Sequence, residues 1–177
     1  DASGSIAGPG SAAAGSTGSR EVEGALSALD AALVRRAEAA LELANSGSLD
    51  PATGFLVAAA ASESLERTTE RTFEQDLLEG QHFAGREGVE SELTEVLEAA
   101  LPAQVGQEIE REGGTGAASL DRLRAAGMRV QIARRFHNDA VKEVQRVRAK
   151  RVVRWFRLAG HADLPQTVEF DDTVPGR

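Results

Sequence analysis

Cysteine and tyrosine are absent from the 177 residues, tryptophan and methionine occur once each, and proline occurs five times. Without cysteine there is no disulfide framework and no thiolate chemistry, whether catalytic or metal-binding. With no tyrosine and six phenylalanines, surfaces on which nucleobases could stack are scarce. Long apolar runs are missing too. The longest, Phe55 to Ala61, falls far short of the roughly 18–20 residues that cross a bilayer. There is neither an initiator methionine nor a signal-peptide pattern, so the chain reads as a piece of a larger protein. Runs of alternating β-branched and polar residues are lacking, which leaves strands almost without support. What is present is a vocabulary of Ala, Leu, Glu and Arg, which favours helix, in a length suited to one domain.

Charge is unevenly spread over the net −8. Residues 121–160 hold 12 Lys/Arg against 3 Asp/Glu, while the remainder holds 8 against 25. A basic C-terminal segment on an acidic body can attract an anionic partner or pair within its own fold.

The first 19 residues contain 15 Gly, Ser or Ala and are expected to form a flexible linker. The bundle proper is expected over 20–160, and an extended tail over 161–177. A first helix spans about 20–45, with Val22, Leu26, Leu29, Leu33, Ala37, Ala40 and Ala44 on one stripe. Asp50 and Pro51 suit the cap and first position of a second helix. Its apolar stripe reads Phe55, Ala58/Ala59, Ser62, Leu65, Thr69, Phe73 and Leu77. A shorter third helix carries Val89, Leu93, Val96, Leu97 and Leu101 and stops at Pro102. Residues 102–117 read as a Gly-rich loop, and Ser119 as the cap of a last helix reaching Ala159. The expected fold is all-α, an antiparallel bundle of three long helices plus a shorter one.

Motifs for catalysis are missing. No GxSxG, HExxH or Gly-rich phosphate loop occurs. Glu79 and His82 have the i, i+3 spacing of di-iron bundles, but His137 and His161 have no matching carboxylate. His137 on a helix resembles a phosphoryl acceptor, yet Ala140 stands where such domains place a lysine. No catalytic residue, cofactor or metal is therefore expected. The strongest feature is the basic face of the last helix, Lys142, Arg146, Lys150, Arg154 and Arg157, with Trp155 near its end. It can lie on anionic headgroups, or be solvated and pair with Glu63, Glu66, Glu70 and Glu74 across the bundle.

The segment "RVQIARRFHNDAVKEV" (129–144) resembles the LemA family, whose hallmark is an Arg-aromatic-Asn segment on a long helix. Arg134, Arg135, Asn138 and Val141 occupy matching positions. "LDAALVRRAEAALELA" (29–44), with Arg35 and Arg36, is similar to the family's first-helix pattern. "REGVESELTEVLEAAL" (86–101) resembles its third-helix segment, and "LAGHADLPQTVEFDD" (158–172) a tail found in a high-GC bacterial branch. The chain departs from the family in placing His137 where a tyrosine is usual, and Val144-Gln145 where a second Tyr-Asn pair stands. The resemblance implies a bacterial protein held to the cell membrane by an N-terminal helix outside this chain, which would be its soluble domain. The family has no established enzymatic reaction. The expected role is thus a non-enzymatic scaffold or adaptor that binds a protein partner or an anionic membrane surface. A soluble nucleic-acid-binding or signalling bundle is the alternative, with nucleic acid the less favoured ligand. Asn138 with Arg35 and Arg36 is expected to form a polar layer that fixes helix register.

Overall fold

The computed structural model describes residues 10–74, 85–152 and 167–174, with side chains over 18–68, 85–147 and 167–174. Five helices follow one another in these spans: α1 (Gly10–Ala44), α2 (Pro51–Glu74), α3 (Arg86–Ala100), α4 (Ala103–Glu112) and α5 (Gly114–Val152). No strand occurs among the described residues, and the expected all-α bundle is what forms.

α1 is the central element, packed against both α2 and α5. That position explains the width of its buried arc, which takes in Leu29, Ala32, Leu33, Arg36, Ala37, Ala39, Ala40 and Leu43. Small residues alternate with leucines along this arc, so two neighbours can approach from different sides. α5 runs antiparallel to α1. Gly18 lies against Val144, Leu33 shares a cluster with Val130, and Glu42 pairs with Arg122 at 3.0 Å. α3 runs parallel to α1, because Arg86 reaches Asp30 while Arg36 reaches Glu90.

The α1–α2 turn forms as its residues dictate. Gly47 takes φ 78°, and the Asp50 carboxylate accepts hydrogen bonds from the Ala52 and Thr53 amides, each at 3.1 Å. Hydrogen bonding from Thr53 holds the Asp50 carboxyl below the usual carboxylate range. Pro51, lacking an N–H, opens α2 without losing a bond.

Four expectations about boundaries and faces are corrected. α1 begins at Gly10 rather than about residue 20, so the linker expected over 1–19 is partly helical. Ala12 to Ala14 are the strongest helix formers, and extending an existing helix is far easier than starting one. α2 buries Gly54, Val57, Ala61 and Ser64, and leaves Phe55 74% and Leu56 60% exposed. The predicted stripe beginning at Phe55 is therefore wrong in phase. A Cβ at Gly54 would stand 3.2 Å from the Ala44 carbonyl, a contact too close for phenylalanine. Residues 103–112, read as loop, form α4, which lays the buried Ile109 on α5 and joins it through Arg124 and Glu110. Finally, α5 starts at Gly114 and not at Ser119, which is buried inside the helix. Gly113 and Gly114 at φ 73° and 67° make the tight reversal between α4 and α5.

The tail, expected to be extended, lies against the bundle. Over 167–174 it is non-helical, and Val168, Phe170 and Asp172 are buried while Glu169, Asp171 and Thr173 are exposed. This is the two-residue alternation of an extended segment lying on a surface. Val168 and Phe170 complete an apolar cluster with Leu29, Ala32 and Leu33 of α1 and Val130 of α5. The segment is thus docked on the bundle, covering one side of its apolar seam.

Candidate functional site

Three polar or exposed regions stand out, and they differ in how water reaches them. The first is enclosed. Arg36, Arg86 and Glu90 are 2%, 3% and 0% exposed. Glu90 accepts from Arg36 Nη2 at 2.8 Å through Oε2, and from Arg86 Nε at 3.2 Å and the Ser64 hydroxyl at 2.9 Å through Oε1. Arg86 also reaches Asp30 at 2.7 Å and Thr68 at 2.8 Å. Arg36 donates to the Thr94 hydroxyl at 2.9 Å and to the Glu90 carbonyl at 3.0 Å. Two guanidinium groups and two carboxylates therefore balance one another, and α1, α2 and α3 all contribute. Such a group is costly to disrupt but has no open face for a ligand. It fixes how the three helices meet.

The second region is the docked tail, bridging α3 and α5 above α1. Asn138, 7% exposed, pairs with both main-chain groups of Val168: Nδ2 donates to the carbonyl at 3.0 Å, and the amide donates to Oδ1 at 2.8 Å. Gln131 donates to the Asp172 carbonyl at 2.8 Å, and the Thr94 hydroxyl to the Asp171 carbonyl at 2.6 Å. On the α3 side, the Glu169 amide donates to Glu87 at 3.0 Å and the Asp171 amide to Ser91 at 3.2 Å. Arg134 grips the Asp172 carboxylate at 2.8 and 3.1 Å and lies 5.5 Å from the centre of the Phe170 ring. The hydrogen bond to Asp172 raises the Arg134 pKa above its ordinary value in spite of partial burial. Asp171 faces outward and is held below the usual carboxylate range, chiefly by the Thr173 hydroxyl.

The third region is the outer face of α5. Met128, Ile132 and Phe136 follow one another at four-residue spacing and are 38%, 56% and 67% exposed. Arg135, Lys142 and Arg146 are exposed on the same side, interleaved with the exposed Asp139 and Glu143. Arg146 approaches Glu143 at 3.9 Å, so the basic ridge is partly neutralised by its own helix.

The structure separates the residues that the sequence grouped together. Arg36 and Asn138 are both buried, but Arg36 joins α1 to α3 whereas Asn138 holds the tail. They do not form a single layer, and Arg35 points outward and belongs to neither. Arg134 turns to Asp172, Arg135 is exposed, and Val141 is fully buried in the helix seam. His137 is 3% exposed, a core histidine on the inner face. Among the described residues, neither Lys142 nor Arg146 pairs with Glu63 or Glu66. The side chain of Lys150 and the residues Arg154, Trp155 and Arg157 lie outside the described residues. So do Glu79, His82 and His161, and the side chains of Glu70 and Glu74. Among the described residues no cluster of His, Asp or Glu is arranged to hold a metal ion, and no helix is long and apolar enough to cross a membrane.

Sequence reasoning missed Glu90, Thr94 and Gln131, and the role of Val168, Phe170 and Asp172. A short signal for the tail was present: "TVEFD" (167–171) alternates polar and apolar letters with period two, and the alternation breaks at Asp172. Comparison with family models, with curated proteins and with solved structures found no match to this chain.

Proposed function

We propose that this chain is a non-enzymatic, LemA-type helical scaffold whose α5 outer face rests on an anionic membrane surface. The observation that carries the reading is the exposed row Met128, Ile132 and Phe136 beside Arg135, Lys142 and Arg146 on one side of a long helix. Scattered exposed apolar residues are ordinary, whereas three large ones in register form a continuous stripe that gains by being covered. A helix of this kind lies in the plane of the headgroups, apolar side chains inserted and cations above the phosphates. Each cation near such a surface adds about 1 kcal/mol. The resemblance of residues 20–172 to the LemA pattern agrees with this placement, since it implies an anchor that keeps the bundle close to the membrane.

The reading is tested by sedimentation with liposomes of neutral lipid alone and with increasing anionic lipid. Binding should rise with anionic content, fall in high salt, and be lost on Arg135→Glu, Lys142→Glu and Arg146→Glu together. Binding that ignores both lipid charge and these substitutions would remove it. Salt-dependent binding to DNA in place of liposomes would turn the assignment to the nucleic-acid alternative. What separates the two readings is the apolar row, since Met128, Ile132 and Phe136 can enter a lipid surface whereas a phosphate backbone offers them nothing to enter.

A further inference from the structure

The geometry points to a peptide-recognition groove between α3 and α5, occupied in this chain by its own segment 168–172. We propose that it takes an extended partner segment of the pattern apolar-x-apolar-x-Asp, which displaces the tail. The groove shares no residue with the outer face of α5, so this inference and the membrane reading stand or fall separately.

The recognition has two parts, as peptide grooves generally do. Main-chain groups are held by side chains on both walls: Glu87, Ser91 and Thr94 on α3, Gln131 and Asn138 on α5. These contacts fix direction and register but are indifferent to the ligand's side chains. Asn138 is the most specific of them. One amide satisfies both the N–H and the C=O of a single extended residue, as a neighbouring strand would do.

Selectivity comes from alternate positions. The Val168 and Phe170 side chains drop into the apolar floor made by Leu29, Ala32, Leu33 and Val130. Asp172 meets the Arg134 fork at 2.8 and 3.1 Å, a bidentate match that favours a carboxylate at that position. The intervening Glu169 and Asp171 are exposed. Glu169 still accepts from Asn138 at 3.2 Å and pairs with Arg134 at 3.4 Å, so an acidic letter is favoured there and only the position of Asp171 is open. An intramolecular segment has an effective concentration of roughly millimolar order, so it acts as a built-in competitor that only a good or abundant partner displaces.

The test uses the full chain and a fluorescently labelled peptide of the sequence TVEFDDTV. The chain carrying Val168→Ser and Phe170→Ser, whose own tail no longer fills the floor, should bind the peptide at least about tenfold more tightly than the unaltered chain. Adding Asn138→Ala to that chain should weaken binding by about tenfold or more. A peptide of scrambled order should not saturate it. If the doubly substituted chain keeps its helical content and does not distinguish the peptide from its scramble, the proposal is overturned. Should that chain lose its helices, hydrogen exchange on the unaltered protein decides. The Val168 and Asp171 amides should exchange faster than that of Leu33, and faster still in excess peptide. Equal rates for all three, unmoved by peptide, would overturn it.

Discussion

Two polar constructions lie a few residues apart in this bundle and do opposite things. Around Glu90, charges are sealed among α1, α2 and α3, with every partner on a helix. Around Asn138, the groups are neutral for the most part and their partner is a non-helical segment. Leaving a buried charge unpaired is among the most damaging changes a fold can suffer. Losing a neutral hydrogen bond at a docked segment harms the segment first and the rest little. The first construction therefore specifies one helix arrangement, while the second holds a piece that can leave. Thr94 belongs to both. Its hydroxyl accepts from Arg36 and donates to the Asp171 carbonyl.

The contrast can be broken most forcefully at Glu90. Glu90→Ala leaves two buried guanidinium groups without their shared carboxylate and should cost about 3–5 kcal/mol in urea unfolding. Replacing Arg36, Arg86 and Glu90 together by apolar residues of similar size should cost much less. If the triple change is as harmful as the single one, the network gives stability and not only specificity. Asn138→Ala should cost about 1–3 kcal/mol, expressed locally: Val168 amide protection falls while that of Leu33 is kept. Equal loss at both sites would mean that tail and bundle form one cooperative unit. Thr94→Val removes a group used on both sides, with a cost also in the range of about 1–3 kcal/mol. Unlike Asn138→Ala, it should lower protection in α1 as well as in the tail.

Smaller effects sharpen the picture from outside. Ile132→Ser with Phe136→Ser should change stability by no more than about 0.5 kcal/mol per site, since both side chains already face water. A larger loss would show that this face is covered within the protein. The least effect is the acid titration of the tail. Asp171 is held below its ordinary value by the Thr173 hydroxyl, so its folded pKa lies under the unfolded value of about 3.9. That small stabilisation is present above the unfolded value and is lost as pH falls through the folded one. Thr173→Val should reduce this acid-side loss in tail protection, with no change at neutral pH beyond that of the missing hydrogen bond.

Much of the bundle was legible from local chemistry. The Asp50-Pro51 start, the Pro102 stop and the α1 stripe from Leu29 to Ala40 all follow from caps and periodicity. The face of α2 was not. The rows beginning at Phe55 and at Gly54 are both helical in spacing, and only the closeness of Ala44 selects the smaller one. Glu90 was hidden for a related reason. Arg86 and Glu90 have the i, i+4 spacing common to exposed helix pairs, yet they continue the seam of Leu93 and Leu97 and are buried with it. α4 was masked by Gly106 within it and Gly113, Gly114 and Gly116 after it, and its amphipathic turn is secured by Ile109 against α5. The groove could not be foreseen as a site because its walls come from α3 and α5 and its floor from α1. The alternation in the tail gives no hint of the surface on which it lies.

By itself the sequence determined the class of structure, the ends of several helices and the apolar seams, because each depends on groups within a turn or two of one another. Tertiary structure alone decided which seam met which neighbour, which charges were enclosed, and that Asn138 would hold residue 168. Arg36 meets Glu90 across 54 positions of chain and Asn138 meets Val168 across 30. Contacts that distant form only once the helices have packed, when a buried donor or carboxylate must find whatever partner the fold has brought beside it.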